Sequence, residues 1–223
     1  MAVSFTSEPS YWTHKSSQGY FLEDVPGTKA TLIGIIKSTW DPRVVGAGQD
    51  AAKLKHSGVE IIEVKRVENA SLFHSYNNKK HEFEKRGRPC PAIENIPQEL
   101  AAFNKTRRSQ AVNEYYLFHG TDEAINISKT GFQTRFADPD NLFGKGIYFS
   151  DSFQKADQYT DADNLKRLPC LLHRGSCACG PQQQRFDSVE SAGLLFREFA
   201  VFEGRQCYPE YIVTYKRTGI QSW

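Results

Sequence analysis

Glu114-Tyr115-Tyr116-Leu117-Phe118-His119-Gly120-Thr121 is the stretch on which the fold reading turns. Aromatic and apolar side chains run without a break from Tyr115 to Phe118, which favours a pleated strand, and Gly120 ends it. Thr121-Asp122-Glu123 then opens a short helix with a capping oxygen and an acidic first turn, and Gly131 closes it. Farther on, Asn141 to Gly146 reads as a glycine-bearing turn and Ile147-Tyr148-Phe149 as a short buried strand. Asp151 and Ser152 cap a second short helix that runs to Tyr159. Strands follow at Arg167–Leu172, Phe196–Phe202 and Tyr211–Tyr215. Upstream, the β-branched run Val59 to Val67 predicts a strand. Asn69 and Ser71 offer caps for a helix whose apolar positions are Leu72, Tyr76 and Phe83. Arg86-Gly87-Arg88-Pro89-Cys90-Pro91 is a loop, because two prolines so close cannot sit inside a helix. Residues 1–58 are the least readable, with one apolar patch from Ala30 to Ile36, and are expected to be partly ordered as the edge of a lobe. Strands and short helices without regular alternation give an α+β class.

The 223 residues suit a single domain, 1–223, with enough chain to bury a core. No apolar run reaches the length of a membrane span, and Met1 to Glu8 lacks the basic-then-apolar pattern of a signal peptide. A net charge of +2 gives no bulk argument for nucleic acid or an anionic membrane. Lys79-Lys80 and Lys105-Thr106-Arg107-Arg108 read as solvated helix faces. Five cysteines, an odd count, argue against a disulfide framework and for reduced thiols inside the cell, in nucleus or cytoplasm.

Three local features carry chemistry: His119-Gly120-Thr121; Gly144-Lys145-Gly146-Ile147-Tyr148-Phe149-Ser150 with Lys155-Ala156-Asp157-Gln158-Tyr159; and Glu198-Phe199-Ala200-Val201-Phe202 leading into Gln206-Cys207-Tyr208-Pro209-Glu210-Tyr211. Each alone is weak. Gly144-Lys145-Gly146 is neither a P-loop nor a dinucleotide fingerprint. Together, and in this order, they resemble the catalytic domain of the poly(ADP-ribose) polymerases, most densely over residues 114–160 and 196–216. The C-terminal motif is similar to that of the tankyrases.

The resemblance implies an ADP-ribosyltransferase fold: two packed, mainly antiparallel sheets, short flanking helices and an NAD cleft. It implies NAD⁺ as substrate, transfer of ADP-ribose to protein acceptors and release of nicotinamide. The family's His-Tyr-Glu set falls on His119, Tyr148 and Glu198. Positive charge builds on the ribose as the nicotinamide bond breaks, much as in glycoside cleavage, and a carboxylate beside it stabilises that charge. Glu198 takes this role; Glu210 competes for it, but its register after Gln206 favours Glu198. Tyr148 and Tyr159 would stack on the cationic nicotinamide. Gly120 would let backbone approach the carboxamide, His119 would bond the adenosine ribose, and Thr121 would add a hydroxyl. Glu203 reads as a solvated charge.

Some positions depart from the pattern. Ala156 stands where family members often carry a serine that bonds the carboxamide. Gly175 to Pro181 would form a short donor loop, and Phe186-Asp187-Ser188-Val189 resembles the family's Asp-Ser-Val element. A helical regulatory domain is not evident. Cys170, His173, Cys177 and Cys179 fit no standard zinc spacing, since one residue separates Cys177 from Cys179, although tankyrases carry a Cys/His zinc cluster in this region. No metal is expected. The product could be a polymer or a single unit, water could be the acceptor, or the chain could bind NAD⁺ without turning it over.

Overall fold

The computed structural model describes residues 8–15, 19–47, 54–87, 92–105, 109, 112–160, the backbone of 168–175, 188–191 and 195–219. The elements run β1 (Tyr20–Asp24), α1 (Pro26–Ser38), β2 (Gly58–Asn69), α2 (Ala70–Arg86), α3 (Gln98–Lys105), β3 (Tyr115–Gly120), α4 (Ala124–Thr130), β4 (Ile147–Phe149), α5 (Phe153–Asp157), β5 (Leu168–Gly175), β6 (Ser188–Glu190), β7 (Phe199–Val201) and β8 (Cys207–Thr218). One antiparallel sheet has the order β1-β2-β8-β5-β3, and a second, also antiparallel, has the order β4-β7-β6. The fold is α+β, with helices around two sheets, the longest of them α2 with 17 residues.

Alternation along β3 explains why its sequence is apolar on both faces. Tyr116 and Phe118 enter a core with Leu32, Ile35 and Ile36 of α1 and Leu100 and Phe103 of α3. Tyr115 and Leu117 enter a second core with Ile147, Phe149, Phe199 and Val201 of the small sheet. Burying each such aromatic or aliphatic side chain contributes about 1.5–3 kcal/mol. The strand is therefore covered by helices on one side and by the second sheet on the other. At its end the two sheets join: Phe118 and Ser150 exchange backbone hydrogen bonds of 2.7 and 2.9 Å.

Several sequence expectations change. The apolar patch at Ala30–Ile36 is the middle of α1, started by Pro26 in its first turn. Leu32, Ile35 and Ile36 keep helical spacing, and α3 is a helix beyond those expected. Asn69 caps α2 by accepting from the Leu72 N–H, while Ser71 lies inside the helix. The Ser152 side chain makes no capping bond and Asp151 is paired with Arg197, so neither side chain caps α5. The helix stops at Asp157, before Tyr159. The expected strand at 196–202 shrinks to Phe199–Val201. That at 211–215 grows to Cys207–Thr218. Pro209 is accommodated in β8 because it pairs with His173 beside a register shift against β5.

Two charge readings also change. Lys79 is 5% exposed and pairs with Glu203 and Glu82, so Glu203 is an ion-pair partner rather than a solvated charge. Arg205 joins the same carboxylate. Burial pushes the Glu203 pKa up, but Lys79 and Arg205 together outweigh it and hold the group below its usual value. Lys80 lies 3.2 Å from buried Glu114. Basic side chains that look like a solvated face in the sequence thus fasten α2 to its surroundings. Residues 106–108 of the other basic cluster, 88–91 of the expected proline loop and 186–187 of the Asp-Ser-Val element lie outside the described residues. No helix among the described residues is long and apolar enough to cross a membrane.

Candidate functional site

His119 lies near the end of β3, Tyr148 is central in β4, and Glu198 immediately precedes β7. All three lie at the seam where the two sheets join. Tyr148 is paired with Ala200, two residues beyond Glu198. The imidazole Nδ1 of His119 lies 2.7 Å from the Tyr148 carbonyl, which can only accept, so Nδ1–H donates. In the neutral ring this leaves Nε2 as an acceptor, suited to a ribose hydroxyl. Burial lowers the His119 pKa below its ordinary 6.5, and the bond to the Tyr148 carbonyl opposes this only in part. The folded state thus holds the ring neutral where an unfolded chain would begin to protonate it. Stability from this group is complete above the unfolded pKa and is lost as pH falls from about 6.5 towards the lower folded value. If His119 binds substrate as a neutral ring, the acidic limb of kcat/KM for NAD⁺ falls below pH 6.5, and His119→Gln removes that limb.

The Tyr148 hydroxyl accepts from the Phe143 N–H at 2.7 Å and donates to the Gly144 carbonyl at 3.1 Å. The Phe143 ring stacks nearly parallel to that of Tyr148. Gly144 has φ +75°, a left-handed turn that a side chain would strain. The Asn141–Gly146 turn is thereby folded against the ring of Tyr148. Burial raises the Tyr148 pKa, the Phe143 N–H opposes it, and the nearby charge of Glu198 raises it further. Tyr148 is a neutral phenol at ordinary pH.

Glu198 is largely covered, with its side chain 12% exposed, and its carboxylate lies 3.0 Å from the ammonium of Lys155. Lys155 is a functional candidate to which its sequence motif assigns no role. It and Tyr159 are four residues apart, and its ammonium sits 4.9 Å from the centre of the Tyr159 ring. Tyr159 itself is 47% exposed. The Glu198 backbone is held on both sides by Ser191, whose hydroxyl accepts from the Glu198 N–H and whose N–H donates to the Glu198 carbonyl, each at 2.8 Å.

Gly120 has a packing reason in addition to the expected approach to a ligand. A Cβ there would fall 1.6 Å from the Ala156 carbonyl oxygen, so β3 and α5 meet backbone to backbone. Thr121 accepts from the Glu123 N–H at 3.0 Å and shapes the entry to α4. Glu210 is elsewhere: fully buried, it accepts from Tyr11 at 2.6 Å and Tyr116 at 2.7 Å. Two cavities, about 220 Å³ near Asn95 and Tyr115 and about 300 Å³ near Phe132 and Arg205, are lined by none of His119, Tyr148 and Glu198. The proposed donor loop beyond Gly175 and the side chains of Cys170, His173, Cys177 and Cys179 lie outside the described residues. Among the described residues no group of three or more His, Cys, Asp or Glu side chains could hold a metal ion.

Comparison with known proteins points the same way as the motifs. A family model of the poly(ADP-ribose) polymerase catalytic domain matches residues 43–174, more than half of the chain, including His119 and Tyr148 but stopping before Glu198. Human protein mono-ADP-ribosyltransferase PARP14 is 25% identical over 182 residues, covering 72% of this chain and 9% of the relative. The chain therefore spans less than a tenth of that relative's length.

Proposed function

The chain belongs to the poly(ADP-ribose) polymerase catalytic-domain family; from this premise we propose that it is an NAD⁺ ADP-ribosyltransferase in which residues 1–223 form one catalytic unit that extends ADP-ribose chains on protein acceptors, with Glu198 as the catalytic carboxylate. The observation that carries the reading is the meeting of Glu198, Lys155, Tyr148 and His119 at one seam. His119 would accept a hydrogen bond from the adenosine ribose, and Tyr148 and Tyr159 would flank the nicotinamide ring. Positive charge that develops on the other ribose as nicotinamide leaves would be stabilised by Glu198, which can also accept from the ribose 2′-hydroxyl. Lys155 would hold that carboxylate in place through a charge-assisted hydrogen bond. The same carboxylate could orient the hydroxyl of an incoming ADP-ribose unit, which is the basis for proposing elongation. Single-unit transfer is the second reading, favoured by the name of the human relative.

Labelled NAD⁺ and a gel separate these products. A smear or ladder on protein supports elongation, one discrete shift supports single transfer, and free nicotinamide without labelled protein means that water is the acceptor. NAD⁺ binding without nicotinamide release would reduce the chain to a binding protein. The setting proposed is inside the cell, in nucleus or cytoplasm, in keeping with the buried free thiol of Cys207.

Ala156 gives a further test. It is 3% exposed in α5, next to Lys155. Ala156→Ser would restore the hydroxyl that relatives use for the carboxamide. The expected gain is about 0.5–1.5 kcal/mol, seen as a KM for NAD⁺ lowered about two- to tenfold. An unchanged or higher KM would show that the hydroxyl does not reach the substrate here.

A further inference from the structure

Arg197, the residue before Glu198, binds several acceptors near the site. Its guanidinium reaches Asp151 through Nε at 3.0 Å and through a second nitrogen, and Glu190 at 3.2 Å. It also donates to the backbone carbonyls of Glu94 and of Asn95, the latter at 3.1 Å. Its own carbonyl accepts from the Ser150 hydroxyl at 2.7 Å. The side chain is 19% exposed and that of Asp151 is 9% exposed. A planar guanidinium can serve several fixed acceptors at once, which a lysine ammonium on a flexible stem does less well.

Two neighbouring residues are therefore tied to the same structural piece by two ion pairs. Arg197 is bound to Asp151, just before α5, and Glu198 is bound to Lys155, within α5. The first pair fixes the backbone from which the Glu198 carboxylate projects. The second fixes the carboxylate itself. The Ser191 bonds to the Glu198 backbone and the pairing of Phe199 with Phe149 and Glu190 hold the same stretch of chain from the other side.

We propose that Arg197 is a positioning residue for the transfer reaction: through Asp151 and the Glu94–Asn95 carbonyls it sets the place of the Glu198 carboxylate against the Lys155 ammonium. This rests on the reading of Glu198 as the catalytic carboxylate. Arg197 does not touch substrate in this scheme. Its loss should move the turnover number and leave NAD⁺ binding nearly intact.

The test measures kcat and KM for NAD⁺, with thermal unfolding, in Arg197→Gln, Arg197→Lys, Asp151→Asn and Glu198→Gln and in the Arg197→Gln/Glu198→Gln double variant. Misplacing a catalytic group by about an ångström costs up to about 10²-fold, so Arg197→Gln should lower kcat about 10- to 100-fold with KM changed by less than about threefold. Arg197→Lys should recover part of the loss, and Asp151→Asn should reproduce much of it. In the Glu198→Gln background, Arg197→Gln should cost no more than about twofold further, because the carboxylate it positions is gone. A normal kcat in Arg197→Gln beside a crippled Glu198→Gln overturns this proposal alone. So does an equal fractional loss in both backgrounds, which is the mark of general structural damage. Full activity in Glu198→Gln overturns the parent reading and this proposal with it.

Discussion

Glu198→Gln is expected to lower kcat for ADP-ribose transfer by about 10²–10³-fold while KM for NAD⁺ changes little, because removing one preorganised electrostatic partner of a transition state typically costs that much. Glutamine keeps the shape and can still accept one hydrogen bond, but it cannot answer the positive charge that grows on the ribose. The surroundings make the charge matter. The side chains of Glu198 and Lys155 are only 12% and 9% exposed, so their attraction is less screened than that of a surface pair. In the Glu198→Gln variant, the Lys155 ammonium also loses its Glu198 carboxylate partner. Glu210→Gln is the control. Its partners are the Tyr11 and Tyr116 hydroxyls, not Lys155, so that substitution should affect stability before turnover. Polymer formation that survives Glu198→Gln and vanishes in Glu210→Gln would reverse the assignment of the carboxylate.

What the sequence discloses and what it conceals follow from local and non-local physics. The β3 run from Tyr115 to Phe118 is legible because both of its faces are buried, one under α1 and α3 and one under the small sheet. The α1 helix is harder to see because β-branched Thr31, Ile33, Ile35 and Ile36 and Gly34 lower local helix propensity. Packing of Leu32, Ile35 and Ile36 overrides that preference. The full length of β8 is hidden by Pro209, whose missing donor is tolerated only because the partner strand shifts register there. At the site, the His119, Tyr148 and Glu198 positions can be proposed from motif order and resemblance. The ion pairs around them cannot. Arg197 to Asp151 and Lys79 to Glu203 join residues far apart in the chain, so no spacing rule discloses them. Lys155 does leave a signal: it stands four residues before Tyr159, close enough for the cation to reach the aromatic ring.

Asp157→Ala is the substitution expected to cost the most stability, about 3–5 kcal/mol, because it leaves a buried guanidinium without its carboxylate. Asp157 is 1% exposed and Arg217 is 3% exposed. The carboxylate accepts from Arg217 at 3.0 Å and from the Tyr215 hydroxyl at 2.6 Å, and the His56 Nε2 lies 3.0 Å away. Arg217 also donates to the Asp157 carbonyl at 2.7 Å and to the Thr160 hydroxyl at 3.0 Å. This cluster ties the end of α5 to β8, on the element that also carries Lys155 and leads to Tyr159. Gln154 adds a second tie by exchanging bonds with the backbone of Asp41 at 3.0 and 2.8 Å. The loss should appear as a lower denaturant midpoint with an unchanged slope, and as a fall in Tm of roughly 6–20 °C for a chain of this size. Asp157→Asn, which keeps the shape and some hydrogen bonding, should cost less. Replacing Asp157 and Arg217 together by apolar residues of similar volume should cost less than Asp157→Ala alone, since no buried charge is then left unpaired. A single-variant loss under about 1 kcal/mol, or a double variant worse than the sum of its parts, would mean that Arg217 is satisfied without the Asp157 carboxylate. The anchoring of α5 would then have to rest on Gln154 and on the close contact of Gly120 with the Ala156 carbonyl.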